Sequence, residues 1–250
     1  MKLAVIYSVW DSEELLAKSI ECIYSESDLI ILVYQQTSNF GEQYDPLPNI
    51  EHLQNEKVIL VKYEPDLSLG GMMNERIKRN IGIQFAKANH CTHFLHIDCD
   101  EFYENFKECK RLYFKSGHAG SVCKLKTYFQ KPTFQFDTPE DYFVPFIHEL
   151  KEDTKSGASS YKYYVDPTRT VNEIDIVELP IFMHHFSWCR KDVLRKMRNS
   201  SANMSDNRVI KNKLILEDYQ AEITEGFLVR NWNRRIVVVP DQFNLTPIFQ

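Results

Sequence analysis

Residues 94–103 read FLHIDCDEFY, a short apolar run that ends in three acids, Asp98, Asp100 and Glu101. An extended backbone points side chains two apart to the same side, so Asp98 and Asp100 present two carboxylates together. At a separation of about 5 Å and an effective dielectric of about 20, such a pair repels by roughly 3 kcal/mol unless a cation offsets it. A divalent ion that accepts hard oxygen ligands, Mg2+ or Mn2+, does so, and it can also neutralise a substrate diphosphate. The spacing equally suits a simpler arrangement in which Asp100 caps a helix starting near Glu101. Position weighs toward the first reading, because acids at the carboxyl end of an apolar strand sit where open parallel sheets hold their ligands.

Upstream of this stretch the chain alternates. LAVIYSV (residues 3–9), DLIILVY (28–34) and VILVKY (58–63) are β-branched, nearly continuous apolar runs, as expected of strands buried on both faces. A helix follows the first, with Asp11 or Ser12 as its cap and Leu15, Leu16, Ser19, Ile20 and Ile23 at helical spacing. QQTSNFGEQYDPLPN (35–49) reads as a long loop. Gly70 and Gly71 precede a second helix with Ile77, Ile81, Ile83, Phe85 and Ala86 toward its inner face. Strand, helix, strand, strand, helix, strand is an α/β pattern, whose right-handed crossovers give one mostly parallel sheet.

Downstream, the expectation is a helix from about Glu101 to Phe114, then strands at SVCKLKTYF, TFQFD, DYFVPFI and YKYYV, a charged loop over residues 151–160, and a strand at ELPIFMHHFSW. RKDVLRKMRNSSANM (190–204) reads as a basic helix with Val193, Leu194 and Met197 inward. The organisation expected is a binding half over residues 1–101 and an acceptor-side, C-terminal half over 102–250 of the same domain.

Composition bounds the function. The 250 residues, 43% hydrophobic, suffice for one sizeable core. A formal charge of −5, with Lys and Arg dispersed, gives no nucleic-acid-binding patch. The six cysteines lack CxxC or metal-finger spacing and read as reduced thiols. The opening apolar stretch is short for a signal segment, and no run approaches bilayer length. A cytoplasmic protein without a membrane span is therefore expected.

RNIGIQFAKANHCTHFLHIDCDEFY resembles the Arg-Asn-x-Gly, helix, strand, Asp-x-Asp succession of metal-dependent glycosyltransferases with the GT-A fold, particularly family-2-like bacterial and phage enzymes; the matching residues are Arg79, Asn80, Gly82, Asp98 and Asp100. VIYSVWDSEELLAKSIECI is similar in position to their opening strand and helix, without the customary Pro and Asn after the strand. MHHFSWCRKD (183–192) resembles a later stretch in which a His completes the metal site.

The resemblance implies a GT-A-like, Rossmann-like sheet flanked by helices. It implies that Asp98, Asp100 and one of His184 and His185, with His185 preferred, bind Mn2+ or Mg2+, and that Asp100 thereby serves catalysis. It places Ser8, Trp10, Gln35, Arg79 and Asp98 around a nucleotide-sugar donor, UDP-sugar favoured, with Arg190 and Lys191 balancing phosphate charge. The acceptor is a hydroxyl of a glycan, a glycoprotein or a modified nucleobase. If the reaction inverts the anomeric centre, a carboxylate must take the acceptor proton; Glu140 is the candidate, with Asp141 and Asp166 the other acids nearby. Tyr128, Phe129, Trp188 and Trp232 are candidates for stacking on sugar faces, although aromatics at such positions are more often core.

Two rival readings stand. One is a sugar nucleotidyltransferase or metal phosphohydrolase, although the nucleotidyltransferase expects a Gly-rich phosphate loop and VIYSVWDSE contains no Gly. The other is a non-catalytic sugar- or protein-binding module on the same fold.

Overall fold

The computed structural model describes residues 2–158, 161–200 and 208–250. Its first half runs β1 (Leu3–Val9), α1 (Glu13–Ile23), β2 (Leu29–Tyr34), a four-residue helix α2 (Leu47–Ile50), β3 (Val58–Lys62), α3 (Gly71–Ala88) and β4 (His93–Asp98). These four strands are parallel in the order β3-β2-β1-β4. β1 and β2 are buried along their whole length, which is why both read as unbroken apolar runs.

The period of two divides β1 between two layers. Leu3, Val5, Tyr7 and Val9 join a cluster with Leu16, Ile20 and Ile23 of α1, whereas Ala4 and Ile6 join Ile83 and Ala86 of α3 on the other side. α3 lies close to the sheet at Gly82, where a Cβ would come within 2.2 Å of Ile6 Cγ2. Only glycine admits that approach. Phe85, expected on the inner face, is exposed because the face against the sheet is centred on Arg79, Gly82 and Ala86.

The second half continues with β5 (Glu101–Tyr103), α4 (Phe106–Ser116), β6 (Gly120–Phe129), β7 (Phe134–Phe136), β8 (Phe143–Glu149), β9 (Ile176–Trp188), α5 (Val193–Asn199), α6 (Arg208–Gln220), β10 (Leu228–Val229) and β11 (Arg234–Val238). β8 pairs antiparallel with β4, β6 with β8, and β7, β11 and β10 carry the sheet outward. β9 pairs parallel with β6 and antiparallel with β5. The sheet is thus parallel in its first half and mixed beyond.

Several local expectations are corrected. The helix predicted to start at Glu101 begins at Phe106, capped by Asn105, whose side chain accepts from the Glu108 N–H. Glu101–Tyr103 is a strand because β9 lies beside it, and its Phe102 and Tyr103 enter different apolar clusters. Asp100 therefore caps no helix; its carbonyl accepts from the Phe186 N–H at 2.8 Å. YKYYV forms no strand. Its tyrosines anchor a loop instead, Tyr161 to His148 at 2.8 Å and Tyr163 to the Glu178 N–H at 3.1 Å, leaving Val165 one isolated bridge to Phe143. In α5, Val193 and Met197 are buried one turn apart and Leu194 is exposed. Residues 201–204 of the expected basic helix, and Ser159 and Ser160 of the expected charged loop, lie outside the described residues.

Candidate active site

The carboxyl ends of β1, β2 and β4 meet at one edge. Ser8 is in register with Asp98, and the Gln35 N–H donates to the Val9 carbonyl at 3.2 Å. Just beyond β1 the chain turns through Asp11 and Ser12, both in the left-handed region at φ 63° and 60° and both buried. Non-glycine residues held this way mark a turn fixed by its surroundings. Here Arg190 fixes it, donating to the Asp11 carboxylate at 3.2 Å. Ser12 stands at the cap position of α1, but its carbonyl, not its hydroxyl, accepts from the Leu15 N–H.

These ends open into a cavity of about 410 Å³, closed on the far side by residues of β6, β9, α5 and the loop before β9. Asp98, Asp100 and Glu101 enter it at the end of β4, and each meets a guanidinium. Asp98 accepts from Arg79 Nη2 at 3.2 Å and from Arg169 Nη2. Asp100 accepts from Arg190 Nη2 at 2.5 Å. Glu101 accepts from both ends of Arg169, and its Oε2 also takes the Asp98 N–H at 2.9 Å. Burial would raise the Asp98 and Asp100 carboxyls, but the arginines outweigh it and hold both below the usual range. For Glu101 burial wins, pushing it up to about 7.

His184 and His185 face opposite ways on β9. His185 points into the cavity with Nε2 3.8 Å from Asp100 Oδ1, and burial lowers its pKa to about 4, so it is neutral. His184 packs away from the site, bonded to the Tyr128 hydroxyl at 2.8 Å. Among the described residues no group of three or more His, Cys, Asp or Glu forms a metal-ligand set. Asp98 has both oxygens engaged by arginines. What fits a divalent ion is the narrower pair Asp100 Oδ1 and His185 Nε2, since Mg2+ and Mn2+ commonly take one or two protein ligands and complete their shell with substrate phosphates.

Ser8, Trp10, Gln35, Arg79 and Arg190 also line the cavity. Gln35 Nε2 is committed to the Thr37 carbonyl at 2.8 Å and Asn39 Oδ1 at 3.1 Å, which leaves Oε1 without a partner among the described residues. Gln35 Oε1, Ser8 Oγ, Trp10 Nε1 and Arg79 Nε and Nη1 are buried without a partner among the described residues, a concentration that marks a polar binding surface. Glu140 lines the cavity too, but its Oε1 takes the Thr127 hydroxyl at 2.6 Å and its Oε2 lies 3.1 Å from Arg234. Lys191 is not brought there: its side chain is exposed and its N–H donates to Glu14. Asp141 is 97% exposed beside Arg234 and does not line the cavity. Trp188 and Trp232 line it, whereas Tyr128 and Phe129 are core residues.

Sequence reasoning missed three cations of the cavity: Lys78, buried and 3.5 Å from Glu75, and two others. Arg169 follows a turn in a segment that formed no expected element, and nothing local signals that it bridges to Asp98 and Glu101. Lys196 falls within the expected basic helix, whose pattern marks only Val193, Leu194 and Met197 as inward. It lines the cavity, has no ion pair among the described residues, and burial lowers its pKa to about 8.

No family model and no curated protein matches the chain. Among solved structures it is similar to S. aureus TarS 1-349 in complex with UDP-GlcNAc, at TM-score 0.50 and 14% identity, over 90% of this chain and 68% of that one. Against the longer S. aureus TarS structure the values are 0.47 and 14%, over 90% of this chain and 41% of that one. A mannose-1-phosphate geranyltransferase from Thermus thermophilus matches at 0.35 and 13%, over 61% of this chain and 51% of that one. The first of these likenesses agrees with the parallel half-sheet: the fold is GT-A-like.

Proposed function

We propose that the chain is a glycosyltransferase that moves a sugar from a nucleotide-diphosphate sugar, UDP-sugar favoured, to an acceptor hydroxyl. The observation that carries this reading is the match of acids and cations in one cavity at the carboxyl ends of β1, β2 and β4: Asp98, Asp100 and Glu101 held by Arg79, Arg169 and Arg190, with the Lys196 ammonium beside them in no ion pair among the described residues. A nucleoside diphosphate is the anion that suits such a set. The UDP-GlcNAc complex of the structurally similar TarS fragment supports the same choice.

In this reading residues 1–101 bind the donor and 102–250 supply the acceptor side. Gln35 and Trp10 meet the base, Ser8 and Arg79 the ribose or phosphates, and Arg190 and Lys196 the diphosphate. Asp100 and His185 would hold Mn2+ or Mg2+, which supplies Lewis-acid stabilisation to the departing nucleoside diphosphate. The acceptor belongs to a glycan, a glycoprotein or a modified nucleobase. Six free thiols, five of them buried, and the lack among the described residues of a helix fit to span a membrane support a reducing, cytoplasmic setting.

The test is release of UDP from UDP-GlcNAc and UDP-glucose, with Mn2+, with Mg2+ and with chelator. Turnover that Asp100→Asn abolishes supports the proposal. A second reading, a binding module without turnover, is favoured by one observation: both Asp98 oxygens are engaged by arginines. Tight UDP binding with no release from either donor would select it.

A further inference from the structure

Resting on the transferase reading, we infer that Asp166, not Glu140, is the general base that takes the acceptor's proton. Asp11, Glu75, Asp98, Asp100, Glu101, Glu140 and Asp166 are the acids lining the cavity. Asp11 is paired with Arg190, Glu75 with Lys78 and Arg79, and Asp98 and Glu101 with Arg169. Asp100 is paired with Arg190 and Glu140 with Arg234. A carboxylate clamped to a cation has few lone pairs left to take a proton from a substrate hydroxyl. Among the described residues, Asp166 alone of these acids is in no ion pair.

Asp166 is also held in place. Its Oδ1 accepts from the Thr168 N–H at 2.7 Å and the Thr168 hydroxyl at 2.8 Å, and its carbonyl accepts from the Arg169 N–H at 2.9 Å. The side chain of Arg169 then ties the turn to Asp98 and Glu101. On its other flank Val165 bridges to Phe143, a residue of the cavity wall beside Glu140 and Tyr142. One oxygen of Asp166 is thus spent on building the turn, and Oδ2 accepts no hydrogen bond from the described residues.

In the step assigned to it, the acceptor oxygen forms a bond to the anomeric carbon as the bond from that carbon to the diphosphate oxygen breaks. The electron pair leaves on the nucleoside diphosphate, and the acceptor's proton passes to Asp166 Oδ2. No other reactant is needed. Asp98, Asp100 and Glu101 remain with their arginines throughout.

The experiment uses UDP-GlcNAc with water as acceptor, because an activated water reports on the base whatever the natural acceptor is. Asp166→Asn keeps an oxygen for the Thr168 donors, so the turn survives. The expected result is an unchanged Kd for UDP with kcat for UDP release down by about 10²- to 10⁴-fold, partial recovery in Asp166→Glu, and a far smaller loss in Glu140→Gln. The sugar freed by wild type from the α-linked donor should appear first as the β anomer. Asp166→Asn turning over at the wild-type rate, or first release of the α anomer, overturns the assignment while leaving the transferase reading intact. A wild type that neither binds UDP nor releases it overturns both.

Discussion

Arg169 grips Glu101 with both ends of its guanidinium, Nη1 to Oε2 at 3.0 Å and Nη2 to Oε1 at 2.5 Å, and Nη2 also reaches Asp98. The two residues come from opposite halves of the chain, and their side chains are 8% and 2% exposed. A residue from an irregular loop thereby supplies the charge that lets the acids of β4 and β5 be buried.

Arg169→Met should destabilise the protein strongly. Removing one partner of a buried pair leaves an uncompensated charge and costs about 3–5 kcal/mol. Adding Glu101→Gln to that variant should recover part of the loss. Urea unfolding of the two variants checks this, and an Arg169→Met change within about 0.5 kcal/mol, as for a surface site, would contradict it.

Lys196 should give UDP binding a pH dependence. Its pKa is lowered, so the ammonium is charged below about 8 and loses its proton above. UDP affinity should therefore fall as pH rises through that value. Lys196→Met should bind UDP about 10- to 100-fold more weakly, the range of one lost charge-assisted hydrogen bond, with a flatter profile and a smaller effect on UMP. Calorimetry on either side of the lysine pKa reads the outcome. A variant with the wild-type slope would remove Lys196 from the diphosphate site.

Gly82→Ala should cost about 1–3 kcal/mol, as overpacking does. The added methyl would sit 2.2 Å from Ile6 Cγ2, and Ile6 is held in a fully buried central strand. Thermal unfolding checks it, and an unchanged midpoint would show that α3 can lift from the sheet without loss.

What was legible in the sequence was set by local pattern. The runs at 3–9 and 29–34 could be read because a strand buried on both faces has few polar positions. Asp98 and Asp100 stood out as acids ending such a run. The rest depended on partners remote in the chain. Glu101–Tyr103 has nothing local to make it a strand; His185, His184 and Met183 opposite it do that. Tyr161–Val165 looks like a strand by composition, yet its side chains bond to His148 and Glu178 while its backbone stays largely unpaired. Arg169 and Lys196 are ordinary polar residues until folding brings them to the acids. Phe85 and Leu194 failed for a simpler reason: an apolar residue within a helix need not lie on its buried face.

The most direct measurement is calorimetric titration of UDP and of GDP into the wild type and Asp100→Asn, each with and without Mn2+. UDP is expected to bind, with Mn2+ strengthening the binding and the variant losing the metal-dependent part while remaining folded. Neither nucleotide binding to folded wild type under either condition would contradict the donor site itself.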